Sequence, residues 1–355
     1  MTRRTLASVV VGVLLAGLVV AAAFLPVPYV TMSPGPTVDV YAAGKDGSLI
    51  SVDGARTYPT TGELRVTTVS VTSPGQDLAL VDALAAWFDR TRAVYPRDVI
   101  YPPDQTAEEQ RQESSVQMAS SQDTAVAVAL RELGYDVPVQ TEVRAVSTGM
   151  PADGRLRVGD VVVEVNGARV RDVSQVARLV QRTGPDAPAT FVVERKGERR
   201  TIEVVAEPAE GDPGTAVVGI EIAGSYDFPV DVDLDLDENI GGPSAGLVFA
   251  LAVYDTLTPG SLSGGRHIAG TGSLDTDGRV GPIGGVEQKI VAADEAGAEL
   301  FLVPPDNCAA ALSARVDEDG IRLVRAPTVR SAVRSLEAFA DDPDADLPEC
   351  GEPRE

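Results

Sequence analysis

The stretch that decides the fold is residues 242–257, GPSAGLVFALAVYDTL, in which a glycine-rich turn runs into an apolar segment. Pro243 suits the first turn of a helix, so the pattern predicts a helix that begins near Ser244. The Ser244 hydroxyl would then lie beside backbone N–H groups that have no partner within the helix. Such groups stabilise an oxyanion, which makes Ser244 a candidate nucleophile, although a serine here can also simply cap the helix.

A second glycine-rich stretch, residues 278–289 (GRVGPIGGVEQK), opens a predicted helix over residues 286–296. On this helix Lys289 shares an apolar stripe with valine, isoleucine and alanine side chains. Desolvation disfavours an ammonium group, so we expect the pKa of Lys289 to fall from ~10.4 toward ~7. A neutral lysine can accept a proton from a serine hydroxyl, whereas an arginine cannot. The alternative is that Lys289 extends to solvent from an amphipathic helix.

The composition limits the chemistry further. The chain has 355 residues with 53 acidic and 30 basic side chains, so its net charge is −23 and nucleic acid is disfavoured as a partner. A single histidine, His267, excludes a multi-histidine metal site, and a half-buried strand explains the alternating acids of residues 228–238. The sequence therefore predicts no metal and no cofactor.

Residues 242–246 also fit the pattern G-x-S-x-G, the nucleophile elbow of α/β-hydrolases. That interpretation requires His267 as the base, only 23 residues after Ser244, which leaves little room for the acid and its strand. A histidine-dependent hydrolase therefore stays open as an alternative.

The N-terminal region predicts a membrane anchor. Residues 6–25 form a run of 20 residues without charge, long enough as a helix to cross a hydrocarbon core of ~30 Å. Arg3 and Arg4 precede the run and the next basic residue is Lys45, which places the N-terminus in the cytoplasm and the rest outside. A cleaved signal peptide is the alternative. Export permits a disulfide between Cys308 and Cys350, with two unpaired thiols as the alternative.

Residues 138–208 are predicted to form a self-contained β-rich module. The strand VQTEVRAV is followed by PADGRLRVGD, the strand VVVEV, an Asn166-Gly167 turn, a helix over residues 172–182 and a closing hairpin. This order resembles a PDZ domain. The resemblance implies that a peptide adds as a strand beside residues 140–147, which include Val143, against the helix that carries Val176 and Val180. The alternative is a small domain that binds nothing.

The remaining segments give coarser expectations. Residues 31–60 are expected to be loop with short strands, and residues 62–72 to be a strand. Asp77 is expected to cap a helix over residues 78–89 whose Trp87 enters the core. Residues 94–112 predict an exposed lid and residues 113–133 a helix. The acidic residues from 341 onward are expected to be disordered apart from any tether at Cys350.

Three motifs together resemble the proteolytic domain of Lon proteases: GPSAG around Ser244, Thr271-Gly272, and G-R-V-x-P-I-G-G-V-x-x-K over residues 278–289. The resemblance implies that Ser244 is the nucleophile and Lys289 the base, with the Thr271 hydroxyl orienting the lysine amine. It also implies that Gly242 and the backbone at Ser244 and Ala245 shape an oxyanion site.

Two features depart from the Lon pattern. Gly241 stands where many Lon enzymes carry an acid, and these 355 residues contain no G-x-x-x-x-G-K-[ST] loop.

The sequence thus predicts an α+β fold, a Lon-type proteolytic domain with an inserted β-rich PDZ-like domain and one N-terminal transmembrane helix. The expected divisions are an anchor over residues 1–26, the first part of the protease domain over 27–137, the PDZ-like domain over 138–208, the catalytic part over 209–340 and an acidic tail over 341–355.

The expected function is that of an ATP-independent Ser-Lys endopeptidase of the cell membrane, with its catalytic domain outside the cytoplasm. Its substrates would be unfolded or exposed segments of exported and membrane proteins, selected by the PDZ-like domain. A hexameric ring is implied by analogy with Lon. The alternative is a protein that is not an enzyme: a catalytically silent membrane scaffold that binds peptides through its PDZ-like domain.

Overall fold

The computed structural model describes residues 3–44, 47–73, 75–101, 107–170, 173–209, 212–235, 242–316 and 320–351. These residues form two compact units. Unit 1 takes its described residues from Met1–Gly134 and Val230–Glu355, and unit 2 takes them from Tyr135–Pro229. Unit 2 is therefore inserted in the sequence of unit 1.

The described α-helices range from single turns to 26 residues. In chain order they are α1 (Arg3–Ala23), α2 (Leu80–Phe88), α3 (Arg97–Ile100), α4 (Ala107–Glu132), α5 (Val173–Thr183), α6 (Gly246–Leu257), α7 (Val286–Glu295), α8 (Cys308–Ala311) and α9 (Val329–Asp341). Two single 3₁₀ turns, Pro243–Ala245 and Pro305–Asn307, precede α6 and α8.

The described strands are mostly short. In chain order they are β1 (Pro26–Val27), β2 (Tyr29–Asp39), β3 (Ala43–Gly44), β4 (Gly47–Ser48), β5 (Ile50–Asp53), β6 (Glu63–Val71), β7 (Leu78–Ala79), β8 (Ala93–Pro96), β9 (Val139–Val146), β10 (Val161–Val165), β11 (Ala168–Arg169), β12 (Pro188–Arg195), β13 (Glu198–Val205), β14 (Glu207–Ala209), β15 (Asp212–Val217), β16 (Ile220–Tyr226), β17 (Asp231–Leu234), β18 (His267–Gly270), β19 (Ser273–Leu274), β20 (Val280–Gly281), β21 (Leu300–Val303) and β22 (Arg322–Arg325).

Unit 1 is built around a six-stranded mixed sheet with the order β22-β21-β18-β6-β2-β8. The four strands from β22 to β6 are parallel, whereas β2 runs antiparallel to both of its neighbours. All four residues of β21 are buried, as expected for a parallel strand covered on both faces. Helix α6 is apolar on nearly all sides and is buried over most of its length.

Strand β2 corrects the prediction that residues 31–60 are loop with short strands. It is an 11-residue strand inside the sheet, despite Pro34 and Pro36. Proline cannot donate to a strand ladder, and the pairing with β6 shifts register between Pro34 and Thr37. The bulge accommodates Pro34 and Pro36, which in the sequence favour a loop.

The region around α2 also differs from the prediction. The helix begins at Leu80 behind Ala79, without a side-chain cap, and Asp77 instead pairs with Arg97 at 3.4 Å. Trp87 is 70% exposed rather than part of the core. The expected lid begins as β8, which pairs with β2, and residues 102–106 lie outside the described residues.

Helix α1 covers most of the apolar run near the N-terminus. Among the residues that the structure describes, no helix combines the length and apolar character needed to cross a membrane.

Unit 2 contains a sheet with the order β13-β12-β10-β9-β16. The Gly-Asp and Asn-Gly signals both have structural roles there. The buried Asp160 carboxylate binds the Arg195 guanidinium at 2.6 and 2.7 Å and accepts the Arg157 N–H. The side-chain carbonyl of Asn166, which has φ 52°, accepts the Thr190 N–H. The contacts with Arg195 and Thr190 therefore connect both turns to strand β12.

Strand β16 moves the end of the inserted unit from residue 208 to Pro229. It pairs antiparallel with β9 from Val139 to Val146, so the sheet is incomplete without it. The sequence between the closing hairpin and β16 carries no motif, which is why the predicted boundary came too early.

The C-terminal residues pack against unit 1, in contrast to the predicted disordered tail. Leu347 is buried, the Arg325 N–H donates to Pro348, and the Arg322 guanidinium binds Glu349 at 2.6 Å. The described tail, through Gly351, is therefore part of the folded unit.

Candidate active site

Ser244 lies in the 3₁₀ turn Pro243–Ala245 that leads directly into α6. Gly242 precedes it with φ 91°, a conformation that only glycine adopts readily. The turn places the Ser244 side chain, which is half-buried, at the beginning of a buried helix. The backbone N–H groups at the start of a helix have no partners within the helix and can bind an oxyanion. In this turn the Leu247 N–H is already used, because it donates to the Gly272 carbonyl at 3.0 Å.

Lys289 lies on α7, which begins after Gly285 in the left-handed conformation. A Cβ atom at Gly285 would come within 2.7 Å of Met32 Sδ and Val69 Cγ1, so the glycine lets α7 approach β2 and β6 closely. Lys289 is only 2% exposed. Burial disfavours its charged form and lowers its pKa from 10.5 to about 8. The extended, solvent-reaching alternative is therefore wrong.

The structure brings Ser244, Lys289 and Thr271 together. Lys289 Nζ lies 2.7 Å from Ser244 Oγ and 3.0 Å from Thr271 Oγ1. Thr271 is buried at the end of β18, and its hydroxyl donates to the Ser244 carbonyl at 3.0 Å. The Gly272 N–H donates to the same carbonyl at 2.8 Å. The segment after β18 thus binds both the nucleophile and the lysine.

These bonds determine the direction in which a proton can move. The Thr271 hydrogen is used on the Ser244 carbonyl, so Thr271 presents only oxygen lone pairs to the lysine. A neutral Lys289 can donate one N–H to Thr271 and direct its own lone pair to Ser244. The Ser244 hydroxyl can then donate to Nζ and transfer its proton as the oxygen attacks.

Helix α4 supports the nucleophile turn through two contacts that the sequence did not reveal. The buried Ser121 hydroxyl donates to the Pro243 carbonyl at 3.2 Å. The Gly242 N–H donates to the Ser114 carbonyl at 3.2 Å, so in this structure Gly242 shapes the turn rather than offering a free donor. Ala245, the other residue predicted for the oxyanion site, is buried at the start of α6.

Asn307 performs a similar role for the loop before α7. Its carbonyl oxygen accepts the Ile283 N–H and its amide nitrogen donates to the Ile283 carbonyl, both at 2.9 Å. The next residue, Cys308, is joined to Cys350 by a disulfide. A lone asparagine after two prolines carries no motif, and its position beside the buried strand β21 is the only sequence signal.

His267 occupies the opposite end of β18 from Thr271. Three residues of β18 lie between them, and four residue steps along a strand span about 13 Å. The recorded partners of His267 are Glu63, whose carboxylate lies 3.9 Å from Nε2, and Glu299, which accepts the His267 backbone N–H. Lys289, and not His267, is the titratable side chain that the fold places against Ser244.

The predicted peptide groove in unit 2 requires a correction. Both edges of β9 are already paired, with β10 on one side and β16 along the other. The residues predicted to contact a peptide, Val143, Val176 and Val180, are 0 to 4% exposed and belong to the core of unit 2. Among the described residues, the outer edge of β16 has no strand partner.

Helix α5 flanks the unpaired edge of β16. A Cβ atom at Gly224 of β16 would lie 3.9 Å from Val173 Cγ2. Ala177 follows Val173 by four residues on the same face and is exposed. The outer edge of β16 and this face of α5 therefore lie side by side, one strand further out than β9.

The acidic residues before Ser244 form only part of a strand. Asp231 and Asp233 on β17 are exposed, whereas Val232 and Leu234 are half-buried, as the alternation predicts. Within the described ranges, no cluster of three or more histidine, cysteine or acidic side chains could hold a metal ion. Gly241, where many Lon enzymes have an acid, lies outside the described residues.

Two segments of this chain match known protein families. Residues 142–195 match the PDZ domain, and residues 239–317 match the Lon protease (S16) C-terminal proteolytic domain. A Lon protease of Desulforamulus reducens is 45% identical over 67 residues, which cover 19% of this chain and 8% of that protein. Lon protease 1 of Thermus thermophilus is 43% identical over 87 residues, which cover 23% of this chain and 11% of that protein.

Among solved structures, the PDZ domain of an SdrC-like protein from Listeria monocytogenes is 16% identical, covers 23% of this chain and 85% of that chain, and has a TM-score of 0.22.

This chain therefore contains a PDZ domain and a serine protease proteolytic domain in an α+β arrangement. The proteolytic domain is of the Lon S16 type. The chain spans only 8 to 11% of the length of the two Lon proteases described above.

Proposed function

We propose that this protein is a serine endopeptidase in which Ser244 is the nucleophile and Lys289 is the general base and acid. The observation that carries the proposal is the 2.7 Å contact between Lys289 Nζ and Ser244 Oγ in a site where lysine is buried. Peptidase activity of the whole chain, its substrates and its partners are all part of the proposal.

The proposed reaction has two halves. Ser244 Oγ attacks the peptide carbonyl while its proton passes to Lys289 Nζ, and backbone N–H groups of the first helical turn stabilise the oxyanion. The resulting ammonium protonates the departing amine, which leaves an acyl-enzyme on Ser244. Water then attacks the ester, Lys289 accepts its proton, and the same proton returns to Ser244 as the acid product departs.

We propose unfolded or exposed segments of exported and membrane proteins as substrates. These 355 residues contain no phosphate-binding G-x-x-x-x-G-K-[ST] motif, so the proposal includes no ATP-driven unfolding step. Attachment to a membrane is proposed from the sequence: the uncharged run of residues 6–25, most of which α1 covers, would form the anchor, and the basic residues before it would leave the catalytic unit outside the cytoplasm. A ring of copies, six by analogy with Lon, is the proposed assembly.

We propose that the PDZ domain selects substrates by strand addition at the outer edge of β16. Main-chain hydrogen bonds along this edge would provide affinity, and the α5 face with Val173 and Ala177 would read the added side chains. This assignment replaces β9 as the docking strand because β9 has no unpaired edge.

The decisive test is cleavage of an unfolded protein, such as reduced and alkylated casein, by the purified full chain without ATP. Ser244→Ala and Lys289→Met should each lower kcat/KM by about 10³-fold or more, since each removes one member of a unit that acts together. Lys289→Arg should be equally inactive because arginine keeps its proton. Lys196→Met, on an exposed hairpin, should retain full activity and controls for loss of a lysine.

Two other functions would be favoured by different outcomes. A catalytically silent PDZ scaffold predicts that the full chain binds peptides through the β16 edge while Ser244 fails to react with a serine-directed covalent probe. A histidine-dependent hydrolase predicts that His267→Ala removes activity and Lys289→Met does not. Undiminished cleavage by Lys289→Met would reject the proposed mechanism.

A further inference from the structure

Helix α2 exposes an apolar face. Only Ala83 and Ala86 of its nine residues are buried, on one side. Val81, Leu84, Ala85 and Phe88 have the spacing i, i+3, i+4 and i+7 and share the opposite side, and Trp87 flanks them next to Leu84. We call this set the α2 apolar face: Val81, Leu84, Ala85, Trp87 and Phe88.

The face carries large side chains. Leu84 is 50%, Trp87 70% and Phe88 82% exposed. A helix that is apolar on nearly all sides normally lies in the interior of a protein, so a surface of this kind marks a contact with another apolar body.

The α2 apolar face is continuous with the end of α1. Strands β1 and β7 pair Pro26 with Ala79, and the Leu80 N–H donates to the Leu25 carbonyl at 2.9 Å. Phe24 and Leu25 are themselves exposed, as are the described valine and leucine side chains of α1 from Val10 onward. The chain thus fixes one exposed apolar helix to the end of another.

We infer that the α2 apolar face lies in the interfacial layer of a lipid bilayer and holds unit 1 against the membrane surface. This inference rests on the proposed membrane attachment through α1, but not on the proposed proteolysis.

Lipid accounts for the composition of the face better than a second copy of the chain does. Tryptophan and phenylalanine are typical of helices that lie at the boundary between headgroups and acyl chains. The polar residues around the face include Asp82, Asp89, Arg90 and Arg92, whose charges balance. Attachment should therefore depend on apolar burial and only weakly on anionic lipid.

Trp87 is the single tryptophan of the chain and reports directly on its own surroundings. The test uses the full chain reconstituted into phosphatidylcholine vesicles whose acyl chains are brominated either near the headgroup or near their ends. We expect Trp87 fluorescence to be about two-fold lower in vesicles with bromine near the headgroup than in vesicles with bromine near the chain ends, because an interfacial indole lies close to the headgroups. Adding anionic phosphatidylglycerol should change the quenching little.

The double variant Leu84→Ser, Phe88→Ser keeps the reporter but removes much of the apolar face. It should remain bound to vesicles through α1 while quenching of Trp87 is lost. Val158→Ser together with Leu312→Ser, two exposed apolar positions outside α2, should leave the quenching unchanged. Equal melting temperatures of the variants and the parent chain exclude a folding defect.

Three results would overturn the inference: no quenching in the parent chain, equal quenching in the double variant, or a lipid-independent change of Trp87 emission that grows with protein concentration and molecular mass. The last result would identify a second copy as the occupant. Ser244→Ala should keep the quenching, so absence of proteolysis leaves this inference standing, and loss of quenching leaves proteolysis to its own test.

Discussion

The site around Ser244 and the groove of unit 2 were both expected from sequence motifs, yet the structure treats them differently. Ser244, Thr271 and Lys289 converge as the motifs imply. In unit 2 the expected docking strand β9 is covered by β16, and we propose the outer edge of β16 as the docking edge instead. The difference shows that a motif can specify the chemistry at a helix start, whereas an open sheet edge depends on which strand pairs last.

The physical reason lies in how each site is determined. Ser244 and Lys289 each follow a glycine with positive φ: Gly242 precedes the 3₁₀ turn that carries Ser244, and Gly285 precedes α7. The proposed docking edge depends instead on pairing between β9 and β16, whose partner residues are 74 (220 − 146) to 87 (226 − 139) positions apart, and no local pattern encodes such a partner. Four predictions test this comparison, three at the site around Ser244 and Lys289 and one in unit 2.

The largest effect concerns the burial of Lys289 and its influence on stability. The folded pKa of about 8 lies below the unfolded value of 10.5, so between these values the unfolded chain binds more protons. Stability contributed by Lys289 therefore rises with pH across this window and is lowest below pH 8. Relative to Lys289→Met, the parent chain should gain about 3 kcal/mol in its free energy of unfolding from pH 8 to pH 10.5.

Urea unfolding of both proteins at several pH values measures this difference. The methionine variant removes the titrating group but retains the apolar stem, so other groups that titrate in the window cancel. A constant difference between the two curves would mean that Lys289 is not desolvated.

A second prediction concerns activity. With a pKa of about 8, the neutral fraction of Lys289 rises about ten-fold per pH unit below that value and levels off above it. We expect kcat/KM for a peptide substrate to increase about a hundred-fold from pH 6 to pH 9, with a single midpoint near 8. A flat profile over this range would contradict Lys289 as the base, and His267→Ala should leave the profile unchanged.

Much of unit 1 was predictable because helix starts and buried strands carry strong local signals. The helix over residues 286–296 and the strand over 62–72 appear as α7 and β6. Strand β2 was missed because its two prolines act as loop signals, although a bulge accommodates them. The prediction that Trp87 is buried in the core was wrong. Apolar character favours burial, but it does not reveal whether the side chain packs inside the protein or remains on its surface.

Residues outside motifs were not predictable at all. Ser121 donates one hydrogen bond to the turn that carries Ser244, and Asn307 makes two with the loop before α7. Serine and asparagine are common in helices and loops, and only the folded partner distinguishes a supporting residue from a solvated one.

The third prediction contrasts the core and the groove of unit 2. Val143→Ala removes two buried methyl groups and should lower the free energy of unfolding of unit 2 by about 2 kcal/mol. It should leave peptide affinity unchanged in the folded protein. Ala177→Asp, on the exposed α5 face, should do the opposite and weaken peptide binding about ten-fold with little effect on stability.

Titration of the full chain with library-selected peptides, combined with thermal unfolding, separates the two effects. Loss of affinity in Val143→Ala at temperatures where it is fully folded would restore β9 as the docking strand. Unchanged affinity in Ala177→Asp would mean that peptides do not use the β16 edge.

The smallest effect tests whether α4 positions the nucleophile. Ser121→Ala removes the donor to the Pro243 carbonyl and should lower kcat about three- to ten-fold while KM stays the same, because the turn that carries Ser244 is less fixed. Since Ser121 acts through the turn, the midpoint of the pH profile near 8 should not move. Ser121→Thr retains the hydroxyl and should recover most of the activity, whereas Ser120→Ala, exposed on the same helix, should have no effect. A parallel change in KM, or no recovery with threonine, would mean that Ser121 only fills space beside Gly246, where an added Cβ would approach its hydroxyl to 3.0 Å.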